Sequence, residues 1–348
     1  MNICHVNLAS GYHGGENQTL LLIQQQIKLG YQLTVVANPK SPFYSRVKEL
    51  PCRLIACKHF LTRHTKSITQ DCDLIHVHEG RAIYWAWLQH KKLGIPYIVT
   101  RRIDNALSSG WLSSKAYQSA GLVVGLSQAI AQQVLLRYPQ QRVEIIPSSP
   151  VSYPIDRQTV AHIRDQFSDQ FIVIHAANML HHKGFDVTIA AAQHLKETAP
   201  DVHFVLLGDG KERPLLEQQA QELNNVHFMG KQTNMGDWFA AANVLVHPSY
   251  SEGLGSVILE ALASGLPVIG TRAGGIPDII EHEVSGLLIA PGDGNALAKA
   301  IIRIRDDAHL VTSLADGRAN KLANFAIEQT AQRYQTLYSE MIASHPKR

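Results

Sequence analysis

The chain has 348 residues, 45% apolar and 18% charged, a balance that suits a globular protein of two domains, each with its own core. No uninterrupted apolar run reaches the ~18 residues of a membrane-spanning helix, and the start, Met1–Asn7, lacks the basic segment of a signal peptide. The net charge of +3 is unevenly spread: residues 1–165 hold 18 Lys/Arg against 9 Asp/Glu, giving +9, and residues 166–348 give −6. That asymmetry points to an anionic partner for the first half, such as a membrane surface or a phosphorylated lipid, and no nucleic-acid partner is expected. Cys4, Cys52, Cys57 and Cys72 match no zinc spacing and read as reduced thiols of a cytosolic protein.

Asn2 to Leu8 reads as a strand, followed by a loop from Ser10 to Glu16. In it Gly14 and Gly15 either let a ligand approach the backbone or make a plain tight turn. A helix follows with Leu20, Leu21, Ile23 and Ile27 on its buried side, ends at Gly30, and leads to a strand from Gln32 to Ala37. The unit lacks G-x-G-x-x-G, which argues against a dinucleotide dehydrogenase. Asp73 to Glu79 is a strand ending in His78 and Glu79, at the edge where open α/β sheets collect their active sites. Alternation places His76 and His78 on one face, but no third ligand has a suitable spacing, so no metal is expected. The next helix mixes Tyr84, Trp85 and Trp87 with Lys91 and Lys92, which suits core packing before lipid contact. Pro96 to Thr100 is a strand leading to Arg101-Arg102, a pair that favours phosphate contact or else lies solvated on the surface. Leu122–Leu126 and Val143–Ile146, with a helix over Gln128–Tyr138 between them, complete a mostly parallel first domain, residues 1–150.

Pro147 to Pro154 holds three prolines and three serines and marks a hinge, with a linker over residues 151–168. From Phe171 the pattern repeats. Ile172–Ala176 runs into Ala177–Gly184 and a helix to Thr198; Val202–Leu207 leads to Gly208-Asp209-Gly210; Val226–Gly230 is a short strand and turn. Repeated βα units on both sides of a linker predict an α/β protein of two doubly wound parallel-sheet domains with a cleft between them, the second over 169–324. The tail, 325–348, places Phe325, Thr330, Tyr334, Leu337 and Tyr338 at helical spacing.

The densest stretch runs from Pro248 to Ile269. After a buried strand at Val244–Val246 comes a loop, then a helix with Ser256 as N-cap that runs to about Ser264 and is ended by Gly265. Such a loop offers Gly253, Gly255 and backbone N–H groups at a helix N-terminus, a site for an anion. Glu252 and Glu260 bracket it. Carboxylates repel phosphate but accept hydrogen bonds from sugar hydroxyls, and Glu260 lies among apolar neighbours where an unpartnered charge is costly.

Glu252 and Glu260 form an E-x7-E pair inside S-E-G-x-G-x-x-x-L-E-A-x-A-x-G-x-P-V-I, followed by Gly274-Gly275-Ile276-Pro277-Asp278. Together these residues resemble the signature of the retaining glycosyltransferases of family 4 (glycosyl transferases group 1), whose GT-B fold sets two Rossmann-like domains across a cleft. The resemblance covers most of the chain and is densest from about Phe171 to Gly292. It implies transfer of a sugar from a UDP- or GDP-sugar to an acceptor hydroxyl with retained anomeric configuration, the nucleotide sugar being a co-substrate and no cofactor or metal taking part. Lys183, with Gly184, resembles the lysine that binds the donor diphosphate. By the same resemblance Glu252 would hold the donor sugar, Glu260 the ribose, and the backbone around Phe228–Gly230 the base. Gly14, Gly15, Asn178, Gly208, Gly253, Leu254, Gly255 and Ser256 would complete the donor site, and His13, His78, Glu79 and Arg101 would face the acceptor. Lys183, Glu252 and Arg102 are the expected catalytic residues, and in the family the leaving phosphate itself takes the acceptor proton.

Two positions depart from the family. Asn178 stands where an arginine is usual, and Arg102 where many members carry histidine, so Arg101 or Arg102 is expected to supply the missing charge. The resemblance also implies a C-terminal helix crossing back to the first domain. A basic first half without a membrane span fits a cytoplasmic enzyme, peripheral on the membrane, acting on a lipid-linked or lipopolysaccharide-type glycan. A nucleotide-sugar 2-epimerase of the same plan, or a non-catalytic sugar-nucleotide-binding homologue, would share these motifs.

Overall fold

Parallel strands cannot be joined by tight hairpins, so each needs a crossover, and here the crossovers are mostly helical. The computed structural model describes residues 1–168 and 170–345. Two compact units result: Met1–Ser149 together with the segment from Phe325 onward, and Pro150–Asn324. Asp169, where the second domain was expected to start, and the last three residues of the tail lie outside the described residues.

In the first unit β1 (Asn2–Asn7), β2 (Gln32–Ala37), β3 (Arg53–Ala56), β4 (Leu74–Val77), β5 (Tyr97–Arg101), β6 (Leu122–Gly125) and β7 (Val143–Ile145) form one parallel sheet. Their order is β3-β2-β1-β4-β5-β6-β7. In the second unit β8 (Phe171–Ala176), β9 (Val202–Leu207), β10 (Val226–Gly230), β11 (Val244–His247), β12 (Val268–Thr271) and β13 (Leu287–Ile289) form another parallel sheet, in the order β10-β9-β8-β11-β12-β13. Both are doubly wound sheets of Rossmann type. Strand order reverses between β1 and β4 and between β8 and β11, and ligands of such sheets bind beyond the carboxyl ends at that reversal. The central strands are buried on both faces, as at Ile3, Ile75, Ile98, Val173, Phe204 and Leu245, which is why their sequences read as unbroken apolar runs.

Several local expectations change. Gly14 and Gly15 are the first turn of a helix, Gly14–Lys28, and not a loop; that helix buries Leu22 in place of Leu21. Gly255 (φ 95°) is the N-cap of the helix Ser256–Ala263, so Ser256 is its first residue and not its cap. The helix after Gly184 ends at Leu195, three residues before Thr198. Residues 151–168 are more than a linker: Arg157–Gln166 is a helix of the second unit, capped by Asp156, whose own N–H donates to Asp237 Oδ1 at 2.7 Å. The edge strands β3 and β13 were not foreseen, being only four and three residues long.

The tail forms the helix Ile327–Ser344 and belongs to the first unit, with Thr330, Tyr334, Leu337 and Tyr338 buried. Tyr338 Oη accepts from Gln26 Nε2 (3.2 Å) and meets His76 Nδ1 (2.6 Å), while Thr100 Oγ1 joins His76 Nε2 (2.7 Å) to Tyr334 Oη (2.8 Å). Tyr338→Phe leaves the Gln26 amide and His76 Nδ1 without their partner in a dry site. The expected loss is about 1–3 kcal/mol, read as a lower urea midpoint at unchanged m-value.

Candidate active site

Two loops of the second unit meet at the β8/β11 reversal. After β8, the turn His181–Lys183 closes on Gly184, which is left-handed (φ 72°) and so close to the next loop that a Cβ there would lie 2.0 Å from the Pro248 carbonyl oxygen. The Tyr250 N–H donates to the His182 carbonyl at 2.9 Å, stitching the two loops together. This brings Lys183 Nζ to 2.5 Å and His247 Nε2 to 2.8 Å from the same oxygen, Glu252 Oε2. The Glu252 backbone is held from the other side. Its carbonyl accepts from Gly275 N at 2.8 Å, and Gly274 (φ 54°) packs so tightly that a Cβ would stand 1.9 Å from that oxygen. The glycine pair of the signature therefore serves to fix Glu252.

The side chains of Lys183, Glu252 and His247 are 18%, 14% and 2% exposed. Burial alone would raise the Glu252 pKa, but the hydrogen bond and field of His247, then those of Lys183, outweigh it and bring the carboxyl to about 2. Behind His247 lies His175, edge-on at 5.8 Å, stacked on Phe185 and bonded through Nδ1 to Thr188 Oγ1 at 2.9 Å. Burial keeps His175 neutral. Glu260 is in the opposite state. Burial lifts its pKa to about 7 against a single hydrogen bond from the Tyr153 hydroxyl, 3.1 Å away. The two acids of E-x7-E share no partner in these hydrogen bonds and differ in charge near neutral pH.

Other expected donor residues play mixed parts. Asn178 is exposed after β8. Gly208, after β9, lets its chain pass the Ala177 carbonyl, which a Cβ would approach to 1.9 Å. Phe228 packs its side chain against the core, and the strand shifts register between Phe228 and Gly230. Leu254 is buried, so any ligand contact there is through backbone, and Gly253, Gly255 and Ser256 sit at the helix entrance as anticipated.

In the first unit the residues named for the acceptor gather at the carboxyl ends of β1, β4 and β5. His13 is exposed and precedes the helix, and its N–H donates to Glu16 Oε2 at 2.9 Å. Gly15 gives passage to Arg102, whose Cδ would lie 3.1 Å from a Cβ at residue 15. Arg101 and Arg102 are not equivalent. Arg101 donates to Tyr117 Oη (3.3 Å) and to both oxygens of Asn105, which braces its own loop, while its buried Nε has no partner. Arg102 keeps a buried Nε without a partner, as do Glu79 at Oε1 and His78 at Nδ1. Burial lowers the Arg102 pKa and raises that of Glu79.

His76 and His78 do acquire a third histidine. His5 on β1 pairs in register with His76, and its Nδ1 lies 2.8 Å from His78 Nε2 while its Nε2 meets Gln26 Oε1 at 2.7 Å. The three rings form the single three-membered group of metal-ligating type among the described residues. Burial brings the His5 pKa to about 4 and those of His76 and His78 well below the ordinary value. Five of the six ring nitrogens are already hydrogen-bonded, which accounts for the cluster as a neutral polar network. His5, Tyr153 and His247 were missed. Only the strand order could reveal His5 and nothing local marks Tyr153, but His247, the last residue of the strand before the signature, was open to view.

Two doubly wound units, the second carrying an ion-paired acid in a glycine-bounded loop at its reversal point, define a protein of GT-B type. Residues 12–149 match the family described as Glycosyltransferase Family 4 and residues 170–307 that described as Glycosyl transferases group 1; the chain belongs to the family 4 glycosyltransferases. It is 34% identical over 176 residues to the N-acetyl-alpha-D-glucosaminyl L-malate synthase of Bacillus anthracis, covering 49% of this chain and 46% of that protein. It is 34% identical over 201 residues to the lipopolysaccharide core biosynthesis glycosyltransferase LpsD of Rhizobium meliloti, covering 57% and 55%. The chain thus spans about half the length of these relatives. Anabaena HepE, solved with UDP and glucose, superposes with a TM-score of 0.81 over 98% of this chain and 100% of its own, at 22% identity, a likeness of fold.

The opposite states of the two acids predict opposite pH effects on stability. Glu252, depressed to about 2, contributes stability that is present above its unfolded value near 4.5 and lost as pH falls between them, up to about 3 kcal/mol. Glu260, raised to about 7, favours folding while protonated, so stability falls as pH rises from about 4.5 to 7. Urea titrations across this range should show both slopes, with Glu252→Gln flattening the acid one and Glu260→Gln the neutral one.

Proposed function

We propose that the protein is a retaining glycosyltransferase that moves a sugar from a UDP- or GDP-linked donor to a hydroxyl of a lipid-linked or lipopolysaccharide-type glycan. The observation that carries this reading is the Lys183–Glu252–His247 cluster at the β8/β11 reversal, beside the N-terminus of the helix Ser256–Ala263. The names of LpsD and of the HepE complex support the acceptor class and the donor class respectively.

As the donor bond to the sugar breaks, charge builds on the leaving diphosphate while the sugar becomes oxocarbenium-like. Lys183 and the helix-entrance N–H groups stabilise that charge, the electrostatic assistance that is usually the largest part of catalysis. Glu252 accepts hydrogen bonds from donor-sugar hydroxyls, and Glu260, once ionised, from the ribose. The acceptor oxygen bonds to the anomeric carbon on the face the diphosphate leaves, and its proton passes to the departing phosphate oxygen. No resident metal or cofactor is part of this scheme. His78, Glu79, Arg101 and Arg102 are proposed for the acceptor, because each keeps a buried polar atom without a protein partner.

A peripheral position on the cytoplasmic face of a membrane is part of the proposal. No helix among the described residues is long and apolar enough to cross a bilayer. The first unit exposes Trp111 (69%), Leu61 (63%) and Ile103 (56%) on a chain segment rich in Lys and Arg. Flotation with vesicles of phosphatidylglycerol should carry the protein upward, neutral vesicles should not, and Trp111→Ser should weaken the association.

A thermal-shift screen of nucleotide sugars identifies the donor. With it, free nucleotide should appear only when an acceptor glycan is added, whereas a 2-epimerase would need none. Glu252→Gln should lower kcat by roughly 10²-fold with nucleotide affinity changed only a few-fold. Equal activity of the variant and the parent defeats the assignment. Because ribose hydroxyls favour ionised Glu260, nucleotide binding near pH 6 should release about one proton, measurable by calorimetry in buffers of differing ionisation enthalpy and absent in Glu260→Gln.

A further inference from the structure

Glu252 Oε2 accepts from two donors at once, Lys183 Nζ at 2.5 Å and His247 Nε2 at 2.8 Å. A carboxylate only accepts, so the proton in the second contact sits on Nε2, while Nδ1 is buried and faces no partner. The donors differ in what else they can reach. Lys183 is carried on a turn, has a flexible four-carbon stem and keeps contact with solvent. His247 ends β11, is buried, and is set edge-on to His175, so it stays beside Glu252.

A diphosphate arriving at the β8/β11 reversal competes with Glu252 for Lys183. Were Lys183 the sole donor, its departure would strand a largely buried carboxylate, and breaking a buried pair in that way is strongly destabilising. Glu252 would then either hold the lysine back or take up a proton and lose the charge with which it accepts from sugar hydroxyls.

We infer that His247 is a positioning residue that lets Lys183 change partners: it keeps Glu252 ionised and aimed when a nucleoside diphosphate draws the lysine away. The inference rests on the donor site proposed above and assigns a role to a residue outside the E-x7-E signature.

The test follows the Glu252 carboxyl directly, by ¹³C NMR of protein labelled at glutamate Cδ, the resonance being identified by its loss in Glu252→Gln. UDP and GDP are the probes. In the parent the resonance should stay that of an ionised group from pH 7 down to about 4, with or without nucleotide. In His247→Leu it should behave likewise without nucleotide, but with nucleotide bound its midpoint should rise by roughly two pH units, because both donors are then gone. His247→Gln, which still offers an N–H, should restore the parental behaviour. If nucleotide leaves the His247→Leu midpoint unmoved, the inference is overturned. Should His247→Leu not fold, Lys183→Met asks the same question from the other side: Glu252 held ionised below about pH 4 by His247 alone supports the inference, and titration above 4.5 overturns it. Nucleotide binding with this behaviour but no sugar transfer would remove the transferase reading and leave the inference standing; if neither UDP nor GDP binds, both are removed.

Discussion

A parallel strand can be continued only by carrying the chain back along the outside of the sheet, and that constraint decides where the chemistry of this protein sits. Within each sheet every strand runs parallel to its neighbours, so the loops that leave the strands collect along one edge in each unit. At the two reversals, β1/β4 and β8/β11, successive crossovers pass to opposite faces and the edge opens. Several groups with a perturbed pKa or an unfilled hydrogen bond lie there: His78, Glu79 and Arg102 in one unit, His247 and Glu252 in the other. Glycines are placed to bring backbone together at these edges. At Gly184 and Gly274 a side chain would collide with a carbonyl of the signature loop, so exchanging them would move Glu252 before touching any ligand.

The same constraint explains what could be read from the sequence. Central strands buried on both faces are written as apolar runs and are found almost residue for residue, as β2 and β9 are. The edge strands β3 and β13 carried too little pattern: β3 is four residues and partly exposed, and β13, though buried, is only three. Helix starts were misjudged where a residue with good capping chemistry stood next to a glycine, as at Ser256, because cap identity depends on which residue takes the left-handed turn. The signature loop was legible since its parts are contiguous. Partnerships across the sheet were not. His5 meets His78 only because β1 and β4 are neighbours, and Arg101 reaches Asn105 and Tyr117, contacts that no spacing rule foretells.

Glu252 and Glu260 show how far neighbours outrank residue type. Both are glutamates of one motif, both are largely buried, and burial pushes both toward the neutral form. Glu252 escapes because two donors converge on one of its oxygens and their combined hydrogen bonding and charge exceed the desolvation cost. Glu260 receives a single neutral hydroxyl, from Tyr153, and that is too little to hold a charge away from water. The pair is thus poised unevenly: one carboxylate already ionised and oriented, the other able to gain its charge when hydroxyl donors arrive. Tyr153 adds a coupling of its own, since it lies in the proline-rich segment leading into the second unit and reaches Glu260 through its hydroxyl. A ligand that takes over the hydrogen bonding of Glu260 competes with that hydroxyl, so occupancy of the acid and the conformation of the segment are linked in one equilibrium.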